Sequence, residues 1–377
     1  MRRCLRRGLF MLILICVAIS RATTIYVQAD TGEDSEIDDY DWLDFTALDD
    51  DLSDRCSISF TKIYNCLLDG DISGVAEHIL EALWDSISYE IKYNSRNMLI
   101  ILAIVMFGSI FSNMSGRLAA YASEGGFFVT YLVLISLLLS SFALMQDIAE
   151  AAITDIIEFI RLFIPVYTLS AGYACGDRTA AMSYEIMIFV IYICENIIMY
   201  IIFPLVRFYC IIGLVNRLNK EDFFSKTAGL MKSVSLMILK GVLGFVMGVN
   251  IIKGMISPSV DRLERNSKYK VLSALPGGSG VSTVAGILIS SGSLIRNSIG
   301  IAGSLTVIII SMLPVIKLLV ILISLKVVAA LVQPFSDKRY SEGVDIMAQT
   351  AALMLKATMT AVLMFVISIA LMGMLSS

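Results

Sequence analysis

Three charged residues stand within or beside segments that are otherwise almost entirely apolar: Glu195, Lys240 and Lys317. A charge is costly in lipid, so such residues usually face a bundle interior or a water-filled path, where they can bind an ion, relay a proton or pair with one another. Glu195 pairing with a lysine, and lysines extending to the membrane surface, are the alternatives. The pattern predicts a polar seam or pore at these three residues and leaves those alternatives open.

Conventional catalytic residues are sparse in the chain. His78 is the single histidine, and a lone histidine is most often a surface or interface residue. The seven cysteines lack metal-site or redox spacing, although Cys56 and Cys66 could form a disulfide in an exported segment. Nucleophile elbows, phosphate-binding loops and nucleotide motifs are also missing from the sequence. We therefore predict a protein that is not an enzyme, without catalytic residues, cofactor, metal site or nucleic-acid partner.

Long uncharged segments indicate that the chain crosses a lipid bilayer. Hydrophobic residues make up 57% of the chain and charged residues 16%, against about 25% charged residues in soluble domains. A spanning helix needs about 20 apolar residues, and the runs are too long for barrel strands. The sequence predicts an all-α, polytopic transmembrane helical bundle of about six to eight spans. Uncharged runs include 97–116, 127–145, 297–316 and 357–375.

The start of the chain is typical of an exported protein. Residues 1–29 have a basic start, a short apolar run and a small-residue cleavage site, as in a signal peptide. An uncleaved signal anchor is the alternative. Residues 30–54 contain twelve Asp or Glu and no Lys or Arg, which is typical of a disordered tail. Apolar residues at helical intervals follow. We assign 30–96 to an exported acidic tail plus a short amphipathic helical region.

The apolar part of the chain divides into three segments, 97–146, 147–253 and 254–377. A first transmembrane helix pair occupies 97–146 and is followed by an amphipathic helix at 147–164, which is either interfacial or packed on the bundle. A basic loop centred on Arg217 and Lys220 is cytoplasmic by the positive-inside rule. Another amphipathic stretch, 341–356, precedes the last span.

A faint internal repeat relates two parts of the membrane region. Pro204, followed by an apolar pair and Arg207, recurs 110 residues later as Pro314 with Lys317. The pattern predicts a kink at each proline and favours two related halves, membrane repeat 1 at 147–253 and membrane repeat 2 at 254–377. Chance placement is the alternative.

A Gly- and Ser-rich segment adds a second irregular feature. Pro276, Gly277, Gly278 and Gly280 predict a broken or re-entrant helix, whose carbonyl oxygens could line a pore. Close helix packing is the alternative explanation.

Three motifs give the chain a resemblance to the stage III sporulation protein AE family of endospore-forming Firmicutes. The first is the Phe203-Pro204-Leu205 turn, and the second runs from Leu294 to Gly303. The third, Leu331 to Arg339, contains Gln333, Pro334, Asp337 and Arg339. Their order and spacing together carry the resemblance.

The resemblance implies a multi-pass subunit in the mother-cell membrane around the forespore. Its implied role is structural, within a channel or secretion-like complex needed for endospore development. The implied partners are other stage III A proteins, including a separate cytoplasmic ATPase, and a forespore-side channel protein; the lipid bilayer and a second copy of the chain are further expected partners. A secondary transporter or permease using Glu195 and Lys240 is the alternative function.

Overall fold

The computed structural model describes the backbone of residues 90–92, 94–110, 120–175, 177–218, 223–273 and 278–374, with five further residues between 45 and 64. Residues 45–377 belong to one structural unit. The predicted signal peptide at 1–29 and nearly all of the predicted exported region at 30–96 lie outside the described residues, as do His78, Cys56 and Cys66.

Helices and short turns make up the whole of the described membrane region, which confirms the predicted all-α fold. One π-helical turn, Ile198–Ile202, joins α3 to α4. The helices are α1 Glu90–Ile110, α2 Ala120–Cys175, α3 Asp177–Ile197, α4 Phe203–Asn216, α5 Ser225–Ser273, α6 Gly278–Val332 and α7 Lys338–Met374.

Six helical segments among the described residues are long and apolar enough to cross a membrane, which agrees with a multi-pass protein. α3, the π-helical turn and α4 together supply one of them. The candidate spans are Glu90–Ile110, Glu124–Leu169, Ile188–Asn216, Ser225–Ile252, Ser298–Val332 and Lys338–Ile369.

Two helices are longer than the sequence pattern predicts. The span at 127–145 and the amphipathic segment at 147–164 form one continuous helix, α2, so the predicted domain boundary after residue 146 falls inside a helix. The apolar face of the second segment is buried, with Ile156 and Phe159 fully enclosed, so this segment packs on the bundle. The amphipathic stretch 341–356 is likewise continuous with the last span, in α7.

α7 is the central helix of the bundle. It packs against α2, α4, α5 and α6, and Lys356 is the one exposed residue between 339 and 369. A helix that is apolar on nearly all sides is typical of a buried position or of a membrane span. α6 and α2 lie beside α7 and run antiparallel to each other. Gly303 of α6 lies against Phe163 of α2 at one end, and Arg339, just beyond α6, reaches Glu124 of α2 at the other.

Pro204 and Pro314 lie within continuous helical segments. Pro204 follows the π-helical turn, in which the Phe203 N–H donates to the Ile198 carbonyl five residues back. Proline has no N–H for the usual bond four residues back, and a wider turn before it accommodates that loss. Pro314 lies inside α6, which is one long helix at this point. The predicted kinks at both prolines stay predictions.

The Gly- and Ser-rich segment is described in part. Gly278 and Gly280 lie in the first turn of α6, which then continues without interruption to Val332. Pro276 and Gly277 lie outside the described residues.

Candidate functional site

A polar network lies where α7 meets its neighbours. Asp345 and Gln349 are one helical turn apart on α7, and the Gln349 Nε2 donates to Asp345 Oδ2 at 2.7 Å. The Lys326 ammonium, from α6, donates to Asp345 Oδ1 at 2.5 Å. Both side chains of this ion pair are partly exposed, 39% for Lys326 and 41% for Asp345. The carboxylate thus joins α6 and α7 without being fully enclosed by the protein.

Gln349 extends the network to two more helices. Its Oε1 accepts a hydrogen bond from Lys232 of α5 at 2.6 Å and another from the Tyr209 hydroxyl of α4 at 3.0 Å. Charge-assisted hydrogen bonds of this kind are stronger than neutral ones, particularly in a low dielectric environment. The Asp345 network therefore joins four helices.

The network lies between the two segments predicted as repeats. Tyr209 and Lys232 belong to 147–253, and Lys326, Asp345 and Gln349 belong to 254–377. A polar contact between the segments is thus present, but none of the three predicted seam residues takes part in it.

The predicted seam residues lie apart from one another. Glu195 pairs with Arg161 of α2 at 3.0 Å, so its partner is an arginine rather than a lysine. Lys317 of α6 pairs with Glu90 at the start of α1, at 3.5 Å. Lys240 is exposed on α5, and no described carboxylate lies within ion-pair distance of it. Of the described charges, Glu195 and Lys317 therefore hold pairs of helices together, whereas Lys240 points away from the bundle.

The turn between α6 and α7 carries the family-like motif and is tied to α2. The Arg339 guanidinium donates to Asp337 Oδ2 and to Glu124 Oε1, each at 3.0 Å, and lies over the Phe127 ring. The Asp337 carboxylate also accepts the Arg339 backbone N–H at 3.0 Å, which closes the start of α7. Such planar, stacked and paired recognition requires an arginine rather than a lysine.

The other motif residues have a different role. Gln333 and Pro334 are exposed at the tip of the turn, and the Gln333 N–H completes the last turn of α6 by donating to Ala329. Ser109 of α1 donates to the Phe335 carbonyl in the same turn. The motif thus brings α1, α2, α6 and α7 together at one end of the bundle.

Aromatic side chains pack beneath this turn. Phe127, Tyr131 and Tyr340 lie against one another, with ring centroids 5.0 to 5.9 Å apart. The Tyr131 hydroxyl donates to the Leu214 carbonyl at the end of α4, at 3.1 Å. The Tyr340 hydroxyl bonds to Thr130. These rings extend the connection from the α6–α7 turn to the end of α4.

The α4–α5 and α6–α7 turns lie on the same side of the bundle. Arg217, just after α4, pairs with Glu342 near the start of α7 at 2.9 Å. Lys338 approaches the same carboxylate at 3.5 Å. The α4–α5 and α6–α7 turns therefore face the same membrane surface.

Sequence reasoning missed Asp345, Gln349 and Lys232. Their signal is weak because an Asp and a Gln four residues apart in an amphipathic stretch look like a solvated helix face. In the described part of the chain, no group of three or more His, Cys, Asp or Glu side chains is arranged to hold a metal ion. The observed geometry fixes helices to one another through ion pairs and hydrogen bonds.

Comparison with known proteins gives one consistent result. The family described as Stage III sporulation protein AE matches residues 58–376. A relative named Stage III sporulation protein AE, from Bacillus subtilis (strain 168), is 24% identical over 305 residues, which cover 80% of this chain and 76% of the relative. No solved structure matches the chain. Since the family match covers nearly the whole membrane region, the chain belongs to the stage III sporulation protein AE family.

Proposed function

We propose that the chain is a structural, conduit-forming membrane subunit of a mother-cell/forespore channel or secretion-like complex that endospore development requires. Membership of the stage III sporulation protein AE family supports this proposal. The proposed partners are other stage III A sporulation proteins, among them a cytoplasmic ATPase, and a channel protein on the forespore side. The proposed location is the mother-cell membrane around the forespore, with the N-terminal region exported after signal cleavage.

The observation that carries the structural role is the use of charged side chains within the bundle. Glu90, Glu195 and Asp345 each pair with a basic residue of another helix. Breaking such a pair leaves an uncompensated charge, so the pairs specify which helices are neighbours. A subunit that must hold its shape within a larger assembly needs this kind of specification.

A second candidate function, a secondary transporter, draws support from the Asp345 network. Asp345 is partly exposed and lies between Lys326 and a glutamine that also binds Lys232. Polar groups of this kind within membrane helices often mark a substrate or ion path. Glu195 and Lys240, the residues first predicted for transport, form no ion pair with each other, so Asp345 is the better candidate for that role.

The first experiment tests the proposed role. In the organism that produces the chain, its gene is deleted and then restored with a tagged copy. We expect deletion to stop development of the engulfed forespore, with few heat-resistant spores, and the restored copy to co-purify with other stage III A proteins. Normal spore numbers after deletion would contradict the proposal.

A second experiment separates the two functions. The variant Asp345→Asn with Lys326→Met removes the central ion pair without leaving either charge alone. A structural subunit should lose assembly and spore formation together, or retain both. If the complex assembles normally while forespore development stops, the transporter function is favoured. The control is Lys338→Met, which removes a side chain that is 84% exposed at the bundle end and leaves the Arg217–Glu342 pair intact.

A further inference from the structure

Three phenylalanine rings are exposed on the turns at one end of the bundle. Phe223 and Phe224 directly precede α5 and are 66% and 50% exposed. Phe335 lies between α6 and α7 and is 63% exposed. Large apolar side chains exposed in a group mark a contact with a membrane or with another molecule. These three residues are called the turn phenylalanines below.

The backbone of the turn phenylalanines is held in place by hydrogen bonds. The Phe224 N–H donates to Oδ1 of the buried Asn216 at 2.8 Å. The Phe335 N–H donates to the Val332 carbonyl at 3.1 Å, and the Phe335 carbonyl accepts the Ser109 hydroxyl. The exposed rings therefore stand on ordered turns that are anchored to the ends of the helices.

The turn phenylalanines lie directly beside the ends of membrane spans. Phe224 is followed at once by the span Ser225–Ile252, and Phe335 comes three residues after the span Ser298–Val332 ends. Three residues cover about 10 Å of chain at most. The Arg217–Glu342 ion pair places both turns on the same side of the bundle. All three rings are therefore at the level of the lipid headgroups on that side.

The apolar surface of the spans continues up to these rings. Val215 near the end of α4, Leu230 in the second turn of α5 and Leu331 at the end of α6 are all exposed on the bundle. Apolar residues that are exposed within a span face the acyl chains of the bilayer. The turn phenylalanines thus extend a surface that lipid already contacts.

We propose that the turn phenylalanines bind phospholipid: their rings insert into the headgroup layer, against the upper ends of the acyl chains, and hold this end of the bundle at a fixed depth. Aromatic and large apolar side chains are favoured at this level of a membrane. Lys226 and Lys338, which are exposed beside the rings, can extend their ammonium groups to the phosphates of the same layer. The inference does not depend on the proposed function.

The position of the rings favours phospholipid over a docked protein. Each ring is three residues or fewer from a span, so lipid is beside it whether or not another polypeptide binds. A protein partner would have to displace that lipid in order to reach the rings.

Tryptophan fluorescence in reconstituted vesicles tests the depth of the rings. Trp42 and Trp84 of the full chain are first changed to phenylalanine. Phe223→Trp and Phe335→Trp are then measured singly in phosphatidylcholine vesicles whose lipids carry bromine either near the headgroup or near the end of the acyl chains. We expect bromine near the headgroup to quench both tryptophans more strongly. Stronger quenching by bromine at the chain ends, or no quenching by either lipid, would overturn the proposal.

Met237→Trp in the same background is the matched control. Met237 is exposed on α5, twelve residues after Ser225 and therefore about 18 Å further along the helix. This distance brings it near the middle of an acyl-chain layer about 30 Å thick. Bromine at the chain ends should quench this tryptophan more strongly. The same order of quenching at all three positions would overturn the proposal.

Photo-cross-linking in native membranes distinguishes phospholipid from a protein partner. Photoreactive benzoylphenylalanine replaces Phe223 or Phe335 in the full chain. On irradiation its ketone abstracts a hydrogen atom from a neighbouring C–H group, and the two radicals join in a new C–C bond, so that the ketone becomes an alcohol and no atom is lost. We expect the mass of the labelled peptide to increase by that of a phospholipid. Cross-links to a polypeptide instead would overturn the proposal.

Discussion

The Arg339 guanidinium lies 3.4 Å from the centroid of the Phe127 ring and pairs with Glu124 one turn before it. Its side chain is only 14% exposed. The Arg339 guanidinium thus contacts the start of α2 in two ways: its flat face stacks on Phe127 and its N–H edge pairs with Glu124. Such stacking and pairing fix both the position and the angle of the guanidinium.

Replacing Arg339 should therefore destabilise the bundle. Arg339→Met removes the ion pairs with Asp337 and Glu124 and the contact with Phe127, and should cost about 2 kcal/mol. Arg339→Lys should recover only part of this, because lysine cannot form the planar paired contact. Thermal unfolding of the purified chain in detergent measures the loss. Lys338→Met, at a side chain that is 84% exposed, should change stability little, and an equal effect of both changes would count against the assigned role of Arg339.

Two glycines three residues apart on α6 should differ in their tolerance of a methyl group. A Cβ at Gly303 would clash with the Phe163 ring, whereas one at Gly300 would make an ordinary contact with Tyr167 at 3.5 Å. Gly303→Ala should destabilise the chain by about 1–3 kcal/mol through overpacking between α2 and α6. Gly300→Ala should have a much smaller effect. The thermal unfolding midpoints of the two variants measure this difference. Similar midpoints would mean that α2 and α6 are not packed as described.

The contribution of the Asp345 network can be measured by a double-mutant cycle. Asp345→Asn keeps the shape of the side chain but removes its charge, and should cost about 1 kcal/mol because the pair is partly exposed. Lys326→Met should lower stability to a similar degree. The two changes together should cost less than their sum, since they remove the same ion pair. Strict additivity in the unfolding measurements would show that the two side chains do not interact.

Much of the membrane architecture follows from sequence alone. Uncharged runs are long enough to require spanning helices, and lipid leaves the backbone few other choices. The continuation of the helix past residue 147 is harder to predict, because Asp147 and Glu150 begin a polar face that resembles the end of a span. The helical spacing of Ala152, Ile156 and Phe159 continues through that region, and burial of this face against the bundle makes α2 one helix.

The partners of individual charges could not be predicted in the same way. Glu195, Lys240 and Lys317 stand out in the sequence, but their surroundings depend on helices distant in the chain. Lys317 meets Glu90, for example, because α1 and α6 lie side by side. Nothing in the local sequence around Lys317 indicates this contact.

The orientation of the bundle yields a final prediction. The Arg217–Glu342 ion pair brings the α4–α5 and α6–α7 turns to the same membrane surface, and their basic residues indicate the cytoplasmic side. In a cysteine-free background, Phe223→Cys and Lys338→Cys should react with a membrane-impermeant maleimide only after cells are opened. Labelling of positions 223 and 338 from opposite sides would contradict the fold, and labelling of both from outside would reverse the orientation.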